Sequence, residues 1–370
     1  MRPSRANSGA SAEGEKERTK QSSLARPPRP LFVCFLMFVA AEAEIEPQNH
    51  SGASSCSVHK YLHEDDEEYY EFRSDEGKVE VEAGVEIYYQ LYGNGAEKLL
   101  MVMGLGGTHA IWLPNVKNLL EKENNLQICI FDNRGVGKSS VPSGRYKTSI
   151  MARDAIKVVD HLGWDRFHLA GISMGGMISQ EIALAVPKRI LTLNLAVTHS
   201  GGTGSFPPWQ GIRGTLAANR IDALEQKAPI AMSLLYPEWF LKTEASEGIT
   251  YGELAIERYI RGATKCPPNP AGFRSQVLAV QTHSVGKKRL RELKASGIPI
   301  LICTGDDDSL VNPKASYFLK EMLAPVEFIV WEKCGHGVLF QRFDDYNDAI
   351  LRHIARNPIQ SGEDDQNEES

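Results

Sequence analysis

The chain has 370 residues, a formal net charge of −6, 42% hydrophobic and 24% charged residues. These values fit a globular protein of one large or two small domains. With no basic stripe in the body of the chain, they exclude a nucleic-acid partner. The six cysteines fall at irregular spacing with no Cys-x-x-Cys pair. Cys129, Cys303 and Cys334 sit in or beside strand-like runs and read as free buried thiols rather than a disulfide frame. That usage points to a cytoplasmic location, with the secretory pathway or a membrane anchor as alternatives.

Residues 1–77 read as an N-terminal extension. Residues 1–30 are basic and rich in Ser, Ala and Pro, the composition of a disordered segment. The apolar run Leu31–Ala41 is too short to span a bilayer, which needs about 20 residues. It fits the h-region of a signal peptide with Ala41-Glu42-Ala43 as a small-x-small cleavage site, and the sequon Asn49-His50-Ser51 follows. A signal peptide, a membrane anchor and an untargeted extension all stay open, and any membrane association would run through 31–41. Residues 42–76 are a polar, acidic linker.

From Lys78 the pattern changes. Val79 and Val81, then Val85, Ile87 and Tyr89, alternate around Ala83-Gly84 and predict a β-hairpin. Leu99–Met103 and Leu126–Phe131 are continuous apolar runs, as expected of strands buried on both faces. Trp112–Leu120 between them suits a helix. Thr148 reads as an N-cap for a helix through Met151, Ala155, Val158, Val159 and Leu162, stopped by Gly163. Phe167–Ile172 is strand, Met174–Val186 helix and Ile190–Val197 strand. The alternation predicts a doubly wound, mostly parallel α/β sheet begun by an antiparallel hairpin, with its first part at 78–199. At 200–285 it gives way to helical patches, Ile212–Lys227, Ala228–Leu241 and Tyr251–Gly262, which predict a helical cap. Strands return at Ile298–Thr304 and Val326–Trp331, and a helix spans about Asp344–Arg356, completing the second core part at 286–357. Residues 358–370 form an acidic tail.

Gly171-Ile172-Ser173-Met174-Gly175 lies where a strand turns into a helix. A serine hydroxyl is a weak nucleophile without an adjacent base and a place for oxyanion charge. Gly-x-Ser-x-Gly makes room for a turn so tight that only small neighbours fit. The amide of Met174, at a helix N-terminus, is one candidate oxyanion donor. The other is the amide of Leu105 in Met103-Gly104-Leu105-Gly106-Gly107, where Gly104 and Gly106 let the loop lie against substrate. His336, between Gly335 and Gly337 after a strand, is the candidate base. Asp308, in Gly305-Asp306-Asp307-Asp308, is the candidate acid, with Asp306 as the fallback. His199 also ends a strand but precedes the acid in chain order. Trp209 and Trp239 in the cap would either contact an apolar substrate group or form the cap's own core. Gly135-Val136-Gly137-Lys138-Ser139 mimics the end of a P-loop, but Asp132 stands where its first glycine belongs.

With these residues assembled, the chain resembles the α/β-hydrolase fold superfamily over about residues 78–357. Phe131–Ser139 is similar to that family's Asp-x-Arg-Gly-x-Gly-x-Ser loop. Gly171–Gly176 is similar to the elbow of its esterase, enol-lactonase and monoacylglycerol-lipase-like branches. The resemblance implies Ser173 as nucleophile, Asp308 as acid, His336 as base, Leu105 and Met174 as oxyanion donors, and a cap over the site. One departure is Met103, where relatives usually carry histidine. The resulting expectation is a serine hydrolase of a small-molecule ester, thioester, lactone or lipid-like substrate, acting through an acyl-enzyme with no metal or organic cofactor. The alternatives are C–C bond hydrolysis or perhydrolysis by the same residues, and a catalytically weak receptor or scaffold.

Overall fold

The computed structural model describes residues 70–202, 205–218 and 220–357. Residues 1–69 of the expected extension, with the run 31–41, and the tail from 358 lie outside the described residues. An antiparallel pair opens the fold: β1 (Arg73–Glu82) and β2 (Val85–Gly93), with Val79 opposite Ile87. The alternation from Lys78 underestimates β1. Arg73–Gly77, expected as linker, already pairs with β2, and its polar side chains bond that strand too: Ser74 Oγ donates to Gly93 O, Asp75 accepts from Tyr89 Oη, and Glu76 accepts from Gln90 Nε2.

Then come β3 (Glu97–Val102), α1 (Leu113–Lys122), β4 (Leu126–Phe131), α2 (Thr148–His161), β5 (Phe167–Ile172), α3 (Met174–Ala185) and β6 (Ile190–Ala196). An insert follows: α4 (Trp209–Ala218), α5 (Leu224–Leu235), α6 (Glu238–Lys242), the hairpin β7 (Glu244–Ser246) and β8 (Ile249–Thr250), α7 (Tyr251–Lys265) and α8 (Pro270–Gln281). The chain ends with α9 (Lys287–Ala295), β9 (Ile300–Gly305), α10 (Pro313–Leu323), β10 (Glu327–Trp331), α11 (Val338–Gln341) and α12 (Phe343–Ile354). The sheet has eight strands in the order β1-β2-β4-β3-β5-β6-β9-β10. It is antiparallel from β1 to β4 and parallel from β4 to β10.

The apolar runs are continuous because each strand serves two cores. Leu99, Met101, Ile128 and Ile130 share one core with Trp112, Leu119, Tyr346 and Ile350, so α1 and α12 cover that face. Leu100, Val102, Cys129 and Phe131 share the other with Met151, Ala155, Val159, Ile178 and Ile182, from α2 and α3. Fully burying one such side chain stabilises by roughly 1.5–3 kcal/mol.

Two local expectations fail. Thr148 is not an N-cap: Lys147 holds that position in an extended conformation, and the Thr148 hydroxyl lies 2.9 Å from His283 Nδ1. A tertiary partner has taken the group that could have capped the helix. In the insert, the first expected patch breaks after Ala218. The second boundary is crossed by α5, which runs through Pro229 and ends at Tyr236. Tyr236 is extended (φ −130°, ψ 139°), the backbone that a following proline, here Pro237, imposes.

Candidate active site

Ser173 joins β5 to α3 with φ 55° and ψ −121°. A non-glycine residue held there stores on the order of 1–3 kcal/mol of strain. The surroundings fix it: its N–H donates to Ala196 O at 2.9 Å, and its carbonyl accepts from Thr198 Oγ1 at 2.7 Å. The flanking glycines are sterically required. A Cβ at Gly175 would stand 2.0 Å from Val102 O, one at Gly171 2.3 Å from Ser179 Oγ, and one at Gly176 2.7 Å from Thr198 Cβ. Thr198 and Ser179 are supports that a linear motif does not reveal.

His336 and Asp308 meet. His336 Nδ1 and Asp308 Oδ2 are 2.7 Å apart, and both side chains are buried. A carboxylate only accepts, so Nδ1 carries the hydrogen and Nε2 is left to take a proton. Asp308 Oδ1 accepts from the amides of Leu310 and Val311 at 2.8 Å each, which fixes the carboxylate. Asp306, the fallback, faces elsewhere: its Oδ1 accepts from Cys334 N at 3.3 Å. The histidine loop is held by Gln341, whose Oε1 accepts from Gly335 N and whose Nε2 donates to Lys333 O, both at 2.8 Å. Cys334 beside it is a buried thiol whose pKa is raised by burial, so it stays neutral.

β5, β6, β9 and β10 are consecutive parallel neighbours, so Ser173, Asp308 and His336 leave the sheet at one edge. Among the described residues no hydrogen bond joins Ser173 Oγ to His336 Nε2. Such bonds often tighten only with substrate in place.

The loop after β3 lies against the serine: a Cβ at Gly104 would be 3.2 Å from Ser173 Cβ. Its support comes from two directions. Asn133 Nδ2 donates to Met103 O at 3.0 Å. Gln276, fully buried on α8, accepts from Gly106 N and donates to Arg134 O, both at 2.9 Å. The Met103 side chain is buried, and its end lies where a Cβ on Gly107 would clash. Leu105 projects outward and is 37% exposed, which leaves its role to the backbone. Met174 is fully buried at the first position of α3. The P-loop mimic is filled by the protein's own carboxylate: Asp132 accepts from Lys138 N at 2.8 Å and His109 N at 2.7 Å.

The insert touches each loop. Gly337 N donates to Leu235 O at 2.9 Å. A Cβ at Gly211 would lie 1.8 Å from Ser309 O, so α4 packs directly on the acid loop. Trp209 is 64% exposed on α4. Trp239 is 47% exposed and its Nε1 donates to Lys333 O at 3.1 Å. The insert's own core is a different set: Tyr236, Phe240 and Tyr251, with Phe340 from α11, where Phe240 stacks on Tyr251 at 4.7 Å.

His199, after β6, is also buried. Its Nδ1 accepts from Gly201 N at 3.0 Å. Burial, and then the charge of His336, lower its pKa to about 4. It is neutral at ordinary pH.

A family model described as the alpha/beta hydrolase fold matches residues 98–343. A protein of Azorhizobium caulinodans assigned by name to the carbamate hydrolase RutD is 26% identical over 269 residues, 72% of this chain and 94% of that one. The 2-hydroxy-6-oxononadienedioate/2-hydroxy-6-oxononatrienedioate hydrolase of Paraburkholderia phymatum is 28% identical over 286 residues, 75% of this chain and 94% of that one. Among solved structures, the enol-lactonase of Burkholderia xenovorans superposes with a TM-score of 0.61 at 19% identity, covering 76% of this chain and 100% of that chain.

Proposed function

Because the chain belongs to the α/β-hydrolase fold family and is a hydrolase, we propose that it cleaves a carboxylic ester, thioester or lactone through an acyl-enzyme on Ser173. The observation that carries this reading is the buried Asp308–His336 pair at 2.7 Å, on the same sheet edge as the strained Ser173. His336 Nε2 takes the proton of Ser173 Oγ as the oxygen attacks the carbonyl. The amides of Leu105 and Met174 receive the developing negative charge. His336 then protonates the leaving oxygen, or the leaving sulfur of a thioester. Asp308 holds the imidazole in the tautomer this requires and stabilises it when charged. Water, activated by His336, releases the acid. The chemistry needs no metal or organic cofactor. The insert at 200–285 serves as a cap, a role supported by its contacts with Gly106, Ser309 and Gly337. Exposed Trp209 and Trp239 would offer apolar contact to a small ester or lipid-like substrate arriving from outside.

A fluorophosphonate probe should label wild-type protein and leave Ser173→Ala unlabelled. An ester panel of graded chain length would then rank the substrates. Folded protein that takes no label would sink the reading and favour a ligand-binding scaffold. A second reading, C–C bond hydrolysis by the same residues, is favoured by the name of the Paraburkholderia phymatum relative. Loss of the absorbance of a vinylogous 2-hydroxy-6-oxo-dienoate would reveal it.

A further inference from the structure

One polar group beside this site is prepared for a partner that the protein itself does not supply. His199 is only 6% exposed. The Gly201 amide occupies its Nδ1 at 3.0 Å. An amide can only donate, so Nδ1 is the bare nitrogen and Nε2 carries the hydrogen. Among the described residues no hydrogen bond takes that Nε2–H. The ring is buried, yet its Nε2 is not among the sealed polar atoms that lack a partner, so this N–H faces accessible space rather than the packed core.

The surroundings keep the ring neutral. His283 stands 6.0 Å away, centroid to centroid. It is itself buried and held by Thr148, and burial first, then the charge of His199, lower its pKa to about 3. The charged groups acting on the two rings are His336 and Arg289, both cationic when protonated, and Arg289 is already paired with Glu181 at 2.6 Å. His283 does not satisfy His199. Its own Nε2 is sealed and completes no hydrogen bond, and the His199 carbonyl is taken by Gln180 Nε2 at 3.0 Å. His199 therefore offers a single uncharged N–H.

The position of that donor is informative. β6 lies between β5, which carries Ser173, and β9, which carries Asp308. The oxyanion loop follows β3, on the opposite side of β5. His199 thus flanks the serine on the side of His336. The leaving group must also lie there, because His336 has to protonate it. We propose that His199 Nε2–H is a specificity determinant that hydrogen-bonds an uncharged acceptor oxygen, such as an ether, hydroxyl or carbonyl, in the leaving alcohol of the substrate. This inference rests on the acyl-enzyme reading above. A neutral imidazole N–H favours such an oxygen over a methylene, and it offers a carboxylate no opposite charge to pair with.

The test compares butyl acetate with 2-methoxyethyl acetate, which differ by one CH2→O exchange. Each kcat/KM is normalised to alkaline hydrolysis of the same ester. Wild-type enzyme should prefer the methoxyethyl ester by about tenfold, in line with one buried hydrogen bond. His199→Phe should lower its kcat/KM about tenfold more than that of butyl acetate, chiefly through KM. His199→Gln, which restores an N–H donor, should recover part of the difference. Equal normalised rates in wild type would overturn the inference even if the Phe variant fails to fold, and so would an unchanged ratio in folded His199→Phe. Those failures leave the acyl-enzyme reading standing, provided that Ser173 still takes the fluorophosphonate label. An enzyme silent on both esters and unlabelled overturns the two together.

Discussion

Two strand-end histidines sit at the same edge of the sheet in opposite chemical situations. His336, after β10, has a carboxylate at 2.7 Å on Nδ1. His199, after β6, has a backbone amide at 3.0 Å on Nδ1. A carboxylate leaves a basic nitrogen and steadies the imidazolium, whereas an amide donor leaves an N–H and opposes protonation. The partner of Nδ1, more than burial or position on the sheet, decides which ring can act as a base and which can only bind.

The sharpest way to break that comparison is to remove each ring. Ser173→Ala and His336→Gln should each cost on the order of 10⁴- to 10⁶-fold in kcat. His199→Gln should cost about tenfold or less on the same ester. If steady-state kinetics give His199→Gln a loss like that of His336→Gln, the assignment of roles is reversed. Next comes the carboxylate. Asp308→Asn should cost about 10⁴-fold by presenting the wrong tautomer, while Asp306→Asn, which loses only a bond to Cys334 N, should cost far less. Comparable losses would show that the 2.7 Å contact does not set the base. Gln276→Ala should lower kcat by roughly 100- to 1000-fold, the range for a lost oxyanion donor, with the fluorophosphonate labelling rate as the check. A wild-type labelling rate would mean that the loop after β3 holds without it.

The smallest effect is on stability. His199 has its pKa lowered to about 4, and so does His353, mainly by burial in both cases. Unfolded histidine binds a proton near pH 6.5. Between about pH 6.5 and 4 the unfolded chain therefore holds protons that the folded chain refuses, and stability is lost as pH falls through that window. Each ring contributes up to about 3 kcal/mol. Urea unfolding at pH 7 and pH 5 should show the loss, and His199→Gln should flatten it. An unchanged slope would mean that His199 protonates freely when folded.

The central sheet was legible because strands buried on both faces leave unbroken apolar runs, as at Leu99–Val102 and Leu126–Phe131. The elbow was legible because its steric demand is local: Gly171, Ser173 and Gly175 are close in sequence. What escaped depends on contacts between distant segments. Gln276 reaches Gly106 across 170 positions, and nothing in Arg274-Ser275-Gln276-Val277 signals it. Thr148 had the composition of a cap but found His283 instead. Arg73–Gly77 showed no alternation because its polar side chains are held by Tyr89, Gln90 and the Gly93 carbonyl of β2, partners that lie more than a dozen residues away. The sequence favours Asp308 over Asp306, but the contact that occupies Asp306, with Cys334 N, joins distant segments and left no local sign.

Gln276 also has an evolutionary corollary. One side chain on α8 ties the loop after β3 to the carbonyl of Arg134, so the insert and that loop are a single mechanical unit. A grafted lid from another hydrolase would bring new walls for the substrate but would sever that tie. Engineering or natural exchange of this region should succeed only where the donor segment restores an amide side chain at the same height.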